Sequence, residues 1–471
     1  YKFMFTDSTW NIQRGEFGYR KYKPAKLMEL FNNVAYINVN HSLNSFLTRS
    51  LQADSCEKII QHQLEKLKEN PQLHDSIEFN ISRSSYVFDT EDEFAVEYKN
   101  IISPEEIQKW HQDLIEIDSL NKSTLEKNNE TMLRAFSLLD GNFKYSKKEN
   151  IKFIRDNMAL PFTHHSRLGF VYFAQLNNLL RKDVITEAQK NSLLLSVKSI
   201  STKMKSDAYQ VKLGKKSLSS FLDIYGHIRA GNYNLSSSNL KNNLEFTELL
   251  VHNSEPQDEN ISLQKVIFSN IDKYFELNNI PYTASAWVEM FQTAIATREN
   301  SKFYYTKGID GILNEIEEQN ISDEELFQRL NIEFSQENKI NLDLKNTLMP
   351  DLISSSDDFY LYEEMSKDGN YIGQGTVSGK VLLLDNYSNQ PYDLDNKIVV
   401  IPAADPGWDW IFNYKIKSLI TQYGGPNSHM AIRCAEHNIP AILGVGENNF
   451  SMISTSQSLS IDFSNESFAI V

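Results

Sequence analysis

The sequence predicts a multidomain α+β chain, with a mostly helical central domain followed by a small β/α domain. Three observations carry this. From Pro104 to about Pro350, apolar residues recur on a three-to-four spacing that suits amphipathic helices. After about Gly369 the texture changes to glycine turns and short apolar runs of strand length. The length of 471 residues allows roughly three domain-sized units. The expected boundaries are a mainly helical region over 1–350, a linker or hinge over 351–369 containing S-S-S-D-D, and a β/α domain over 370–471.

Before Pro104, the alternation at Tyr36 to Val39 predicts a short strand, and Cys56 to Lys68 is charged and compatible with a helix. Ser76 to Tyr98 leans toward β, with Ile77, Phe79, Ile81, Tyr86 and Phe88 set among polar residues. Ser103 is a suitable cap for a helix that begins at Pro104, whose missing N–H is not needed there. Leu168 to Leu180, Leu193 to Met204 and Thr283 to Tyr305 carry the helical period, and Ser322-Asp-Glu-Glu reads as another cap. In the last hundred residues, strands are expected at Lys380 to Asp385, Lys397 to Pro402, Ser418 to Thr421, Ala441 to Val445, Leu459 to Phe463 and Phe468 to Val471. Gly373 to Gly379 is expected as a turn or bulge before the first of them, since it precedes a strand instead of joining one to a helix.

The formal net charge of −15 argues against nucleic acid or an anionic membrane as the main partner. The two cysteines, Cys56 and Cys434, form no C-x-x-C pair, so no disulfide framework or zinc site is expected and a reducing, cytoplasmic setting fits. No apolar run approaches the ~18 residues of a membrane span. Gly214-Lys215-Lys216-Ser217 lacks the order of a phosphate-binding loop, and no ATP site is read anywhere in the chain.

The richest stretch is Tyr423 to Val445, Y-G-G-P-N-S-H-M-A-I-R-C-A-E-H-N-I-P-A-I-L-G-V. Asn427 and Ser428 are helix-cap residue types, so His429 is expected in the first turn of a helix running to about His437. Free backbone N–H groups and the helix dipole favour an anion there, which suits an imidazole that takes up a phosphoryl group. Arg433 falls one turn later on the same face, with a fork of donors for that phosphoryl. Asp405, in A-A-D-P-G-W, reads as the cap of a helix that starts at Pro406. Three segments of the helical region also stand out: Tyr225 to Tyr233, containing His227 and Arg229; Arg298-Glu299 with Lys302, a cationic pair one turn apart; and Thr163 to Arg167, polar residues expected just before an apolar helix. Their plain structural readings are a glycine stop, a surface ion-pair ladder and a helix cap.

Gly424, Gly425, Ser428, His429, Ile439, Pro440 and Ala441 match the G-G-x-x-S-H and following I-P-A elements of the phosphohistidine, or swivelling, domain, and the C-terminal domain resembles that domain of the PEP-utilising enzyme family. Y-G-H-I-R-A-G-N-Y-N, R-E-N-S-K-F-Y-Y-T-K-G-I-D, I-N-V-N-H-S-L-N-S-F and A-A-D-P-G-W-D-W-I-F are similar to segments of a PEP-synthase-like subgroup. Many swivelling domains have Thr before the two glycines and continue S-H-A-A-I-V-A-R. Here Tyr423 replaces that Thr, and the arginine stands at 433 in place of 435, so the phosphoryl clamp is expected to differ.

The resemblance implies a phosphohistidine relay in which ATP phosphorylates His429, releasing AMP and phosphate, and His429 then passes the phosphoryl to an acceptor. ATP and Mg2+ would sit in an N-terminal ATP-grasp domain preceding this chain, which is expected to be the C-terminal part of a longer enzyme and unable to use ATP alone. Gly424, Gly425, Ser428, Arg433 and Asp405 would support the phosphoryl group. Residues 1–350 would hold the acceptor, through His227, Arg229, Tyr233, Arg298, Glu299 and Lys302. The acceptor implied is the side-chain amide nitrogen of L-glutamine, with a rifamycin-like antibiotic or a non-catalytic phosphocarrier role as alternatives. A PEP synthase proper fits less well, because its PEP-binding barrel follows the swivelling domain.

Overall fold

The computed structural model describes residues 9–20, 27–31, 34–74, 77–139, 147–229, 239–252, 254, 263–318, 352–353, 369–384, 393–403, 408, 411–412, 414–423 and 429–470. Contacts divide the chain into two units, 1–201 with 259–359 and 202–258 with 360–471. The sequence placed 202–258 within one continuous helical region. The contacts instead group them with the C-terminal residues. The expected linker, 351–369, lies almost wholly outside the described residues, as does the expected cap at Ser322.

The first unit is helical. Pro104–Leu139, Leu160–Arg181 and Ala284–Glu318 are its long helices. Their core includes Trp110, Leu114, Leu168, Tyr172, Leu176, Trp287 and Phe291, all nearly fully buried. Ser103 caps the first of these, its hydroxyl accepting the Glu106 N–H at 3.3 Å. A hairpin of β1 (Met28–Phe31) and β2 (Val34–Ile37) precedes them, antiparallel with Met28 opposite Ile37. The helix expected over Cys56 to Lys68 spans Ala53–Glu69.

Two expectations need correction here. Ser76 to Tyr98 forms no strand among the described residues: a short π-helical turn runs Ile77–Ile81, and a helix occupies Glu91–Tyr98. Thr90 and Glu93 form a reciprocal capping box at its start, and Phe94 and Tyr98 are buried. Local capping and one buried face therefore outweigh the β-leaning composition. Leu193 to Met204 is also not one helix. The helix Glu187–Leu195 ends, and Ile200–Lys212 begins with the Ile200 N–H donating to Asn300 Oδ1 at 2.8 Å.

In the second unit the C-terminal residues form a seven-stranded sheet in the order β3-β7-β6-β5-β4-β8-β9. The strands are β3 (Asn370–Ile372), β4 (Thr376–Leu383), β5 (Ile398–Ala403), β6 (Ser418–Tyr423), β7 (Ala441–Leu443), β8 (Ser458–Asp462) and β9 (Ser467–Ile470). β4 to β7 are parallel, while β3, β8 and β9 pair antiparallel. Apolar side chains cover both faces of the parallel strands, so Ile398 to Ile401 read as a continuous buried run. The β/α domain expected after residue 370 is present, with all six expected strands. Two details differ: β3 was not anticipated, and β4 starts at Thr376, inside the segment read as a turn.

The glycine-rich entry has a packing reason. Gly373 has φ +112°, and a Cβ there would lie 3.0 Å from Pro440 Cβ and 3.1 Å from Pro440 Cα. Only a residue without a side chain lets β3 close against β7. Gly373→Ala should lower stability by about 1–3 kcal/mol, read by denaturant unfolding. An unchanged midpoint would contradict this packing.

Candidate functional site

His429 opens the helix His429–Glu436, which lies in the crossover from β6 to the parallel strand β7. Its expected place in a first helical turn is therefore met by the backbone. β5 and β6 are in register, and Ala403 lies opposite Tyr423. The segment containing Asp405 and the segment containing Gly424, Gly425 and Ser428 thus leave the sheet from adjacent strand ends, on the carboxyl side where parallel sheets bind ligands. Residues 404–407 and 424–428, which include Asp405, Gly424, Gly425 and Ser428, are themselves outside the described residues.

The helix is anchored by Met430, Ala431 and Cys434, which are buried against Trp408, Ile411, Phe412 and Tyr414. Arg433 is half-buried, with its guanidinium carbon 5.6 Å from the Phe412 ring centroid. The His437 ring stacks on Phe412 at 5.1 Å. One aromatic ring thus contacts both Arg433, in the last turn of the helix, and His437, just past its end. At the sheet, the Thr421 hydroxyl accepts the Gly444 N–H at 3.0 Å, and the Thr421 carbonyl accepts the Val445 N–H at 2.9 Å. These bonds fix where the chain returns after the helix.

Residues 394–466 match the family described as PEP-utilising enzyme, mobile domain. The chain is 32% identical over 90 residues to rifampicin phosphotransferase of Bacillus cereus and 30% identical over 90 residues to that of Bacillus subtilis. It is 32% identical over 83 residues to phosphoenolpyruvate synthase of Helicobacter pylori. These alignments cover 18–19% of this chain and 10% of each relative. The resemblance read from Gly424 to Ala441 thus holds at the level of the mobile domain.

Outside the mobile domain, the other sequence-selected residues fall in both units. His227 and Arg229 belong to the second, just after the helix Leu218–Tyr225. His227 is buried, Arg229 forms an isolated antiparallel bridge with Asn239, and Tyr233 is outside the described residues. Arg298, Glu299 and Lys302 belong to the first unit, on the helix Ala284–Glu318. The Arg298 guanidinium lies 4.6 Å from the Phe170 ring centroid, and its side chain crosses Gly169, where a Cβ would come within 2.9 Å of Arg298 Cδ. Glu299 accepts a hydrogen bond from the Ser199 hydroxyl. With Asn300 it secures the start of the helix Ile200–Lys212.

A cavity of about 570 Å³ lies in the same unit, lined by Ser196, Lys198, Leu263, Phe268, Gln292 and Thr297 among others. Gln292 Nε2 donates to Ser196 Oγ at 2.7 Å on its wall. Sequence reading missed this cavity because its lining comes from three separated segments with no motif. No helix among the described residues is long and apolar enough to cross a membrane.

Thr163 to Arg167 do not precede a helix as expected. They lie inside Leu160–Arg181, which follows directly on a π-helical turn at Arg155–Ala159 with Pro161 in its first turn. His164, His165 and Arg167 are all buried. Burial pushes the His165 imidazole down to about 4, and neighbouring His164 adds to the effect. The folded state therefore binds fewer protons than the unfolded state between pH 4 and pH 6.5. Stability from this residue is complete above the unfolded value and falls as pH drops toward 4. Chemical unfolding at pH 7 and pH 5 should differ by about 2 kcal/mol from this residue, and His165→Phe should flatten that part of the profile. Identical pH dependence in the two proteins would contradict the assignment.

Proposed function

We propose that this chain supplies the acceptor-binding and phosphocarrier parts of an ATP-dependent phosphotransferase, with His429 as the relay nucleophile. The observation that carries the reading is the placement of His429 at the start of a helix between parallel β6 and β7, within a stretch matching the PEP-utilising mobile domain. A nucleophile at a helix start has backbone donors for the charge it acquires, and a two-step transfer needs positioning more than elaborate acid–base chemistry.

In the first step a His429 ring nitrogen attacks the β-phosphorus of ATP. The bond from β-phosphorus to the AMP oxygen breaks, AMP departs, and a pyrophosphoryl-histidine forms. Water then cleaves the outer phosphoryl as inorganic phosphate, leaving phosphohistidine. In the second step the acceptor nitrogen attacks that phosphorus and the imidazole leaves. ATP and Mg2+ would be held by an ATP-grasp domain acting with this chain. Among the described residues no group of three or more His, Cys, Asp or Glu side chains is placed to hold a metal ion, and no step above runs through one.

The acceptor proposed is the side-chain amide nitrogen of L-glutamine, which would make the whole protein an L-glutamine kinase of the kind used in capsule phosphoramidate synthesis, working in the cytoplasm. Arg298 would hold the α-carboxylate and Glu299 the ammonium, with Lys302 one turn along the same helix. The cavity beside Thr297 is large enough for an amino acid. Gly424, Gly425, Ser428, Arg433 and Asp405 would surround the phosphoryl group. A second reading, transfer to a rifamycin-like antibiotic, draws support from the similarity to two Bacillus rifampicin phosphotransferases.

With the full-length protein, ATP and L-glutamine, AMP and phosphate should form together with phosphorylated glutamine. His429→Asn should reduce turnover by at least about 10⁴-fold, since removing the relay nucleophile leaves no covalent route. Retained turnover in that variant would sink the relay. AMP release with a rifamycin and not with glutamine would replace the acceptor and leave the relay standing.

A further inference from the structure

The helical unit holds two buried guanidiniums side by side. Arg14, on the helix Thr9–Phe17, is 6% exposed, and Arg167 is 3% exposed. Both flank the Phe46 ring, at 4.4 and 4.9 Å from its centroid, and both approach the Tyr19 ring at 5.7–5.8 Å. Trp10 lies on Arg14 at 4.3 Å. Like charges buried together are costly unless anions or acceptors compensate them.

For Arg167 the compensation is present. It donates to Glu78 Oε2 at 3.0 Å, to the Ser84 carbonyl at 2.8 Å, and to the Tyr19 hydroxyl at 2.9 and 3.2 Å. Arg14 has only neutral partners, donating to Gln13 Oε1 at 2.9 Å and Ser45 Oγ at 3.3 Å. Among the described residues no carboxylate lies within ion-pair distance of it. Burial and the adjacent Arg167 push Arg14 down to about 10, so it stays charged at neutral pH.

Around Arg14 the unspent groups are donors. Trp10 Nε1 and Gln13 Nε2 are buried without a hydrogen-bond partner. Gln13 is 2% exposed. Buried donors without acceptors are expensive, and natural structures rarely leave several in one place. A surplus of donors beside a guanidinium whose nearby carboxylate, Glu78, pairs directly with Arg167 instead has the chemistry of an oxyanion site.

We propose that Arg14, Trp10 and Gln13, backed by Arg167, form a binding site for a small oxyanion, the carboxylate or phosphate group of a small molecule. The site is made of residues other than those assigned to the acceptor above and does not depend on that assignment. Phosphate and carboxylate share the required acceptor oxygens, so the two sources are separated by experiment.

The test is thermal stabilisation of this chain by inorganic phosphate and, separately, by L-glutamine, each against chloride at equal ionic strength. Either ligand should raise the unfolding temperature saturably, phosphate alone marking a phosphoryl site and glutamine alone a carboxylate site. Arg14→Gln should weaken the apparent affinity by at least about tenfold, as expected for losing charge-assisted hydrogen bonds. If Arg14→Gln fails to fold, Trp10→Phe keeps the ring against Arg14, removes one donor, and should weaken binding about threefold or more. Stabilisation no greater than that by chloride, or undiminished in the folded variant, would overturn the proposal.

Discussion

The parallel pairing of β5, β6 and β7 is the constraint on which the candidate site depends. It places Ala403 opposite Tyr423, so the chain leaves two neighbouring strands at the same end of the sheet. One departure leads to Asp405 and the other to the glycine pair and His429. The return into β7 is fixed by the bonds from Gly444 and Val445 to Thr421, and by Gly373 closing on Pro440. The crossover has therefore been bracketed on both sides before any side-chain chemistry enters. Within it, Met430, Ala431 and Cys434 seat the helix, while Phe412 underlies Arg433 and His437.

The helical unit solves a different problem. Its core is built from large aromatics such as Trp110, Tyr172 and Trp287, but polar groups are buried among them. Gln175 receives the Trp287 indole N–H at 2.9 Å and donates to the Tyr86 carbonyl at 3.1 Å. Asp118 accepts from Lys122 at 2.7 Å and from the Tyr282 hydroxyl at 3.0 Å. These networks are satisfied and serve packing. The surroundings of Arg14 differ, since cation and donors there exceed the acceptors.

Much of the C-terminal domain was legible because its signals are local. Ile398 to Ile401 and Ala441 to Leu443 are apolar runs bounded by turns, and the cap residues before His429 mark a helix start. β3 escaped notice because Asn-Tyr-Ile is too short for a pattern and exists only through pairing with β7. Ile77 to Phe88 resembled a strand, yet the capping box at Thr90 and Glu93 sets the following residues helical. His164 and His165 read as a helix approach because they are polar residues ahead of the apolar run from Leu168, whereas the helix is already under way from Leu160. The Arg14 cluster was not legible because Gln13 and Arg14, though on one helix with Trp10, are buried only by partners from distant segments such as Phe46 and Arg167. Arg298 and Lys302 are one turn apart as the spacing required, though Arg298 lies over Phe170.

The central claim is that His429 carries the phosphoryl group, and the fate of the ATP phosphates tests it most directly. A protein that joins this chain to an ATP-grasp domain, incubated without acceptor with ATP labelled at either the β- or the γ-phosphate, is digested under alkaline conditions. The account predicts that β-label stays on the peptide containing His429, is lost on acid treatment, and that γ-label appears as inorganic phosphate. Label retained from the γ-position, or acid-stable label on another peptide, would contradict it.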